Sequence, residues 1–382
     1  MRRNGISGRT LKLCGSVAAV GLALAACSES AAPTDQSGAA PAGQAAAPAA
    51  PADPRLAPIN DAQFTAPAPD EPPAAENVAV AVDATGANAT GNVTAAAAEP
   101  AYDPMLIKAQ TLLDRARFSP GVIDGRDGTN MHHAISAFQA ARNLPVSGDL
   151  DAATWAALVV DNRPVAATYT LTAADVQGPF SPDTDGDMVK MAELPRQGFT
   201  HATEALAERF HMDEALLTAL NPNVDFKTAG QSIVVAQGGA APFAKGDVDH
   251  IEVSKTREQV VAFDKDGKVL AVYPATVGSL ERPSPTGTHK VNGVATEPDY
   301  IYDPAKLTWG PRSKGKLTIG PGPNNPVGLV WIDLDRPSYG IHGSPDPKTI
   351  GKTGSHGCVR LTNWDAVALG QGVTPGVTVK FV

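Results

Sequence analysis

The chain is poor in three kinds of side chain, and each scarcity excludes a class of protein. Its 382 residues include only three cysteines, which is too few for a disulfide framework or a thiolate metal cluster. Aromatic residues make up 5% of the chain, while Gly and Pro number 36 and 33, so the core cannot run from end to end. Basic side chains are outnumbered, with 31 Lys and Arg against 40 Asp and Glu. A nucleic-acid partner is therefore not expected, because phosphate neutralisation needs a basic surface.

A long hydrophobic run is also missing at the N-terminus. The apolar stretch of residues 13–26 follows a basic start and is too short to span a bilayer, so it predicts an export signal. The sequence Leu-Ala-Ala-Cys that ends at Cys27 resembles the signal box of bacterial lipoproteins. That resemblance implies a signal peptide over residues 1–26 and a membrane anchor formed by acyl chains on Cys27. The alternative is an ordinary cleaved signal in which Cys27 is incidental.

Residues 27–101 have the composition of a tether. About half of them are Ala or Pro, and no apolar periodicity is sustained. Such a segment cannot bury enough apolar surface to offset its ordering entropy, and proline stiffens it towards an extended form. We predict a disordered linker between the anchor and the folded part.

The next segment, residues 102–162, predicts three short helices. Apolar side chains recur at helical spacing, and Gly-containing turns at Gly121, Gly125 and Gly148 interrupt them. The residues around Phe118 and Phe138, and the turns that follow them, occur in an order that resembles a small helical peptidoglycan-binding domain. A helical spacer that kept this fold and lost its ligand is the alternative.

Residues 165–238 give a weaker signal. An Ala-rich amphipathic helix pair is predicted over residues 199–220, followed by a strand over 232–235. The segment resembles a LysM module, although the usual opening is absent near Thr200. A glycan-binding role and a purely structural role both stay open for it.

The last block, residues 248–382, changes from helical to strand periodicity. A hairpin is predicted around the turn of residues 264–267, further short strands follow, and only residues 363–369 read as helical. This predicts a mostly β domain, built as a sandwich or a compact barrel-like sheet. The fold class is thus multidomain, with the β domain preceded by two small modules.

Cys358 is the candidate nucleophile of this block. His342 precedes it by 16 residues and His356 by two, so either imidazole could serve as its base. Gly357 removes a side chain beside the thiol, which would let an acyl group approach and expose amides to a developing oxyanion. Two other readings are a buried inert cysteine and a metal site of His342, His356 and Cys358, for which no fourth ligand is visible.

These residues identify a resemblance to the YkuD family of L,D-transpeptidases. It is carried by residues 284–288, by Gly340-Ile341-His342-Gly343 and by Ser355-His356-Gly357-Cys358-Val359-Arg360. The resemblance implies a β sandwich in which Cys358 attacks a peptidoglycan stem tetrapeptide, expels D-alanine and passes the acyl group to an amine. The acceptor would be another stem peptide, giving a 3→3 cross-link, or a lipoprotein lysine. No cofactor is implied, and the protein is expected on the periplasmic side of a membrane, at the cell wall.

The resemblance also assigns roles to the other residues of the motif. His342 would be the proton donor and acceptor, held by the backbone carbonyl of Gly343, while His356 and Gly357 would shape the oxyanion loop. The residues expected around the substrate are Ser355, which would also brace that loop, Arg360 and Tyr339. Arg360 would grip a carboxylate or form a structural ion pair, and Tyr339 and Trp331 would line the cleft or belong to the core.

Three other functions are compatible with parts of the sequence. Water as acceptor would make the protein an L,D-carboxypeptidase. A cysteine peptidase of stem peptides would share the nucleophile, but peptidases of the NlpC/P60 type place Cys before His in the chain. A non-catalytic wall-binding lipoprotein would not need the intact His342, His356 and Cys358.

Overall fold

The computed structural model describes residues 53–66, 102–279, 282–305, 315–355 and 357–382. The predicted signal, Cys27, most of the predicted linker and His356 lie outside the described residues. The helices are α1 (Ala57–Asn60), α2 (Pro104–Arg115), α3 (Thr129–Ala141), α4 (Ala152–Leu158), α5 (Ala173–Gln177), α6 (Met188–Glu193), α7 (Ala202–Arg209), α8 (Glu214–Leu220) and α9 (Asn363–Gly372). The strands are β1 (Ala166–Thr170), β2 (Ser232–Ala236), β3 (His250–Ser254), β4 (Gln259–Phe263), β5 (Val269–Pro274), β6 (Thr276–Val277), β7 (Gly287–Thr296), β8 (Tyr300–Tyr302), β9 (Leu317–Ile319), β10 (Val330–Leu334), β11 (Gly340–His342), β12 (Val359–Arg360) and β13 (Thr378–Phe381).

The three predicted helices of the first module are present as α2, α3 and α4. Asp103 begins α2 by accepting a hydrogen bond from Met105 N–H, and Asp151 does the same for α4 through Thr154 N–H. Each cap satisfies a backbone donor that would otherwise lack a partner in the first turn. The apolar faces of the helices form one core that contains Leu113, among others.

Residues 53–66 contradict the prediction that the linker is disordered throughout. Ile59 in α1 is only 1% exposed and belongs to the helical core. Asn60 Oδ1 accepts hydrogen bonds from the amides of Val165 and Ala166, so this short segment ties the first module to the second. The surrounding Ala and Pro hide the segment in a composition average, although its few larger apolar side chains are enough to dock it.

The second module is a two-stranded sheet with helices between its strands. β1 and β2 pair antiparallel, and α7 and α8 form the predicted helix pair. The predicted strand at residues 232–235 is confirmed, whereas its partner β1 was not predicted, because five residues of mixed polarity carry little periodicity. Buried side chains of both modules, including Leu113, Leu206 and Ile233, belong to one hydrophobic cluster.

The third module is built on a nine-stranded mixed sheet, so the prediction of a mostly β domain is confirmed. Its strand order is β5-β4-β3-β13-β7-β10-β11-β12-β6. The long strand β7 pairs with β13 through residues 287–290 and with β10 through residues 291–296, and it thereby joins the two halves of the sheet. Helix α9, predicted over residues 363–369, packs against β10 and β11, close to the predicted site.

Backbone hydrogen bonds dock the first two modules onto the third. Ser119 N–H donates to Val272 O (2.9 Å), and Val272 N–H donates to Arg117 O (2.8 Å), so the first module extends the edge at β5. Gln197 N–H donates to Pro321 O (2.8 Å), which connects the second module to the segment after β9. The described residues all fall within one compact unit, Ala52–Val382. Among their helices, none is both long and apolar enough to cross a bilayer.

Candidate active site

Two neighbouring parallel strands bring the catalytic candidates together. β11 pairs with β12 in a register that sets Ile341 beside Val359 and His342 beside Arg360. Side chains of residues that lie opposite each other on paired strands point to the same face of the sheet. Side chains two residues apart along one strand also point to the same face. His342, Arg360 and the position of Cys358 therefore converge on one side of this strand pair, although 16 residues separate His342 and Cys358 in sequence.

His342 is fixed in a single tautomer. Its side chain is 3% exposed, and its Nδ1 lies 2.7 Å from the carbonyl oxygen of Gly343. A carbonyl only accepts hydrogen bonds, so Nδ1 carries the proton and Nε2 keeps a lone pair. The indole of Trp331 stacks on the imidazole with ring centroids 5.4 Å apart. Gly340 makes room for that indole, because a Cβ there would lie 2.6 Å from Trp331 Cζ2.

The environment keeps His342 neutral. Burial lowers its pKa to about 4, the bond to Gly343 opposes this shift, and the nearby charge of Arg360 adds to it. The imidazole is therefore unprotonated near pH 7 and available as a proton acceptor.

Cys358 rests as a thiol. Burial raises its pKa above the ordinary value, while a backbone contact with Gly340 and the charge of Arg360 partly oppose the rise. Its Sγ donates to Ser338 O at 3.6 Å, and among the described residues no hydrogen bond joins Sγ to His342. The resting site thus holds a neutral thiol and a neutral imidazole, so the thiol has to lose its proton as it attacks.

Ser355 braces the loop that carries Cys358. Its hydroxyl donates to Cys358 O (2.5 Å) and accepts from the amides of Gly278 (2.7 Å) and Gly357 (3.2 Å). The bracing role predicted for Ser355 agrees with these contacts. A direct contact with the substrate does not agree with them, because Ser355 is 3% exposed and its hydroxyl already has three hydrogen-bond partners.

The same contacts correct the expectation for Gly357. Its N–H points to Ser355 Oγ rather than into the cleft, and its carbonyl accepts from Ser284 Oγ at 2.7 Å. Gly357 has φ +109°, a conformation that favours glycine, and a Cβ there would lie 3.0 Å from Tyr339 Cε1. Gly357 therefore shapes the loop by its backbone and by leaving room for the Tyr339 ring.

Arg360 lies beside both the thiol and a tyrosine that the sequence did not point out. Burial lowers the pKa of Arg360, and the proximity of Cys358 and Tyr300 opposes that shift. Burial together with Cys358 raises the pKa of Tyr300 to about 12, so its phenol stays protonated. Tyr300 reaches the site from β8, and nothing in its local sequence links it to the Cys358 motif. In the described part of the chain, no three His, Cys, Asp or Glu side chains converge as metal ligands.

Comparison with known proteins identifies the family. The L,D-transpeptidase catalytic domain (YkuD) matches residues 248–381, and the family described as "Putative peptidoglycan binding domain" matches residues 103–158. "Putative L,D-transpeptidase YkuD" of Bacillus subtilis is 30% identical over 185 residues, which cover 48% of this chain and 94% of that protein. "Probable L,D-transpeptidase YbiS" of Escherichia coli K12 is 29% identical, covering 56% of this chain and 71% of that protein.

A solved structure is similar over a shorter part of the chain. An L,D-transpeptidase from Mycobacterium smegmatis superposes with a TM-score of 0.29 and 21% identity, covering 40% of this chain and 66% of that one. At that score the likeness carries no weight for the fold.

The matched catalytic domain is that of an acyl-transfer enzyme. The chain belongs to the YkuD family of L,D-transpeptidases, since it covers nearly all of a relative at 30% identity. The predicted resemblances of the catalytic and peptidoglycan-binding domains are confirmed. The LysM-like module and the lipid anchor stay predictions.

Proposed function

We propose that this L,D-transpeptidase uses Cys358 as its nucleophile and His342 as its base, acting on stem tetrapeptides of peptidoglycan. The observation that carries the proposal is the buried His342, whose Nδ1 is held by Gly343 O at 2.7 Å on the strand beside Cys358. This arrangement leaves Nε2 as the acceptor for the thiol proton.

The acylation step follows from these protonation states. His342 Nε2 takes the proton of Cys358 as Sγ attacks the carbonyl of the third stem residue. Negative charge develops on the carbonyl oxygen, and we assign the Cys358 amide to stabilise it, since Gly357 N–H is engaged by Ser355. His342 then protonates the departing amine, D-alanine leaves, and a thioester remains on Cys358.

The second step regenerates the enzyme. An acceptor amine loses a proton to His342 and attacks the thioester, and the thiol recovers that proton as it leaves. The new amide forms without ATP, because the donor amide bond supplied the activated acyl group. An amine on another stem gives a 3→3 cross-link, a lipoprotein lysine gives an attached protein, and water would give carboxypeptidase activity.

Analysis of cell-wall fragments tests this function. Walls are incubated with protein lacking residues 1–27 and digested to muropeptides, and the products are identified by mass spectrometry. We expect 3→3 cross-linked dimers and loss of D-alanine from tetrapeptides. Tripeptides without dimers would instead indicate hydrolysis, and unchanged muropeptides would contradict both activities.

The two small modules are proposed to hold the enzyme on its polymeric substrate. The match of residues 103–158 to a peptidoglycan-binding family supports this role for the first module. For the second module, the antiparallel β1 and β2 with α7 and α8 between them support the LysM-like assignment. We propose glycan binding for this module too, with an opening near Thr200 that departs from the LysM pattern.

We further propose that the protein is exported and anchored by lipid on Cys27. The support is the position of Cys27 directly after the short apolar run. Cys27→Ala is expected to prevent acylation and to leave the protein uncleaved or mislocalised. The intact mass of the protein extracted from membranes measures this. An unmodified mature N-terminus in the wild type would rule the anchor out.

A further inference from the structure

Asn363, the first residue of α9, is buried among groups from three parts of the molecule. It is fully shielded from solvent, and each polar atom of its amide has a partner. Nδ2 donates to Glu208 Oε1 (2.8 Å) and to Pro323 O (3.1 Å), and Oδ1 accepts from Leu329 N–H (3.1 Å). These bonds fix which side of the amide faces which neighbour, because a carbonyl and a carboxylate accept and an N–H donates.

The oxygen of this amide lies against two glycines. A Cβ on Gly343 would lie 2.2 Å from Asn363 Oδ1, and a Cβ on Gly328 would lie 2.1 Å from it. Neither position can carry a side chain while Asn363 keeps this place. The close approach puts the Asn363 amide in contact with the backbone of Gly343, the residue whose carbonyl holds His342 Nδ1.

Two backbone hydrogen bonds hold the peptide between His342 and Gly343: Leu361 N–H donates to His342 O at 2.8 Å, and Gly343 N–H donates to Val330 O at 3.2 Å. The Gly343 carbonyl belongs to the next peptide, and the packing of Asn363 against Gly343 limits how that peptide can tilt. A tilt would move the Gly343 carbonyl and, with it, the imidazole ring. Small displacements of a catalytic group cost a large part of its rate enhancement.

Glu208 brings the second module into this chain of contacts. It lies on α7, outside the catalytic domain matched at residues 248–381. Burial raises the pKa of Glu208 to about 7, and the bond from Asn363 opposes that rise. Glu204 and His211 are the other charged groups that influence this carboxyl. Either protonation state keeps an oxygen that can accept from Asn363 Nδ2.

We infer that Asn363 and Glu208 are positioning residues for His342: Glu208 anchors the Asn363 amide, and that amide sets the Gly343 carbonyl that orients the imidazole. The inference rests on the proposed role of His342 as the base. It gives the second module a part in the chemistry that is separate from any glycan binding.

Four variants of the full-length protein test this inference. Asn363→Ala and Glu208→Ala remove the two links, while Glu208→Gln keeps an acceptor oxygen. Ser119→Ala is the matched control, since it removes another bond between a small module and α9, the one from Ser119 Oγ to Asp365 Oδ2 (2.9 Å). The measurements are kcat and KM for D-alanine release, the melting temperature, and the NMR signal of the His342 Nδ1 proton, assigned with His342→Ala.

We expect Asn363→Ala and Glu208→Ala to lower kcat by about 10-fold to 100-fold with KM within about twofold, as loss of a supporting residue does at other sites. Their Nδ1 proton signal should shift or broaden, and Glu208→Gln should restore both readouts. Ser119→Ala should change only the melting temperature.

Two results would overturn the inference. One is an unchanged Nδ1 signal in Glu208→Ala, and the other is a loss of kcat in Ser119→Ala equal to that in Glu208→Ala. If Asn363→Ala does not fold, the Glu208 pair decides the question alone. Failure of the wild type to release D-alanine would refute the proposed function, whereas the NMR comparison would still decide whether Glu208 acts on His342.

Discussion

Cys358→Ala is expected to lower the rate of acyl transfer by at least about 10³-fold, because the covalent intermediate forms on the thiol that this change removes. Cys358→Ser should lose nearly as much. A hydroxyl is far less acidic than a thiol, and His342 would have to remove its proton in a site that already raises the thiol pKa by burial. The measurement is D-alanine release from stem tetrapeptides at saturating substrate.

A β-lactam of the carbapenem type gives a second readout of the same residue. Its strained ring should acylate the thiol and leave a stable thioester, visible as a mass increase on the peptide that contains Cys358. The adduct should be absent from Cys358→Ala, whose melting temperature should stay close to that of the wild type. Wild-type protein that turns over tetrapeptides but gains no mass would count against the thioester, and an adduct on another residue would move the nucleophile elsewhere.

The sequence was sufficient for the parts of the site that lie in one continuous motif. Cys358, Gly357 and Ser355 are close along the chain, so their spacing already implied a loop around a thiol. His342 could be included because the resemblance to the YkuD family pairs it with Cys358, although 16 residues separate the two in sequence. The sequence motif did not predict that the Gly357 amide donates to the Ser355 hydroxyl, because that bond depends on the path of the loop.

The parts that depend on distant segments could not be predicted. Tyr300 approaches Cys358 from a separate hairpin, and Glu208 reaches Asn363 across 155 residues of sequence. Neither has a neighbouring motif that marks it as part of a site. The docking of Ile59 onto the helical core was hidden in the same way, because one apolar residue in an Ala- and Pro-rich stretch has no periodic partner.

The packing of the three modules against one another could not be predicted from the sequence either. Periodicity shows where a helix or strand forms, but it does not show which surfaces remain apolar after each module has folded. In the structure, Leu113 of the first module and Leu206 of the second belong to one cluster that extends to Val272 of the third. The catalytic domain therefore holds a fixed orientation relative to both small modules, which is the condition under which Glu208 can influence His342.

His342→Ala is expected to lower kcat by roughly 10²-fold to 10⁴-fold, as the loss of a positioned proton acceptor does in general. Substrate binding should change little, because His342 is only 3% exposed and offers little surface to a substrate. His289→Ala is the matched control. His289 lies on β7, where its Nδ1 pairs with Asp335 Oδ1 at 2.8 Å, and its loss should leave kcat within about twofold.

The pH dependence of the wild type distinguishes a buried base from an exposed one. Burial lowers the pKa of His342 to about 4, so the ring is neutral at every pH above about 5 and ready to accept a proton. The rate should therefore hold as the pH falls from 7 to 5, whereas a histidine of ordinary pKa, about 6.5, would lose its base form over that interval. A decline in kcat with a midpoint near pH 6.5 would show that His342 is solvated during turnover, and the Gly343 carbonyl would then fix its tautomer only in the resting enzyme.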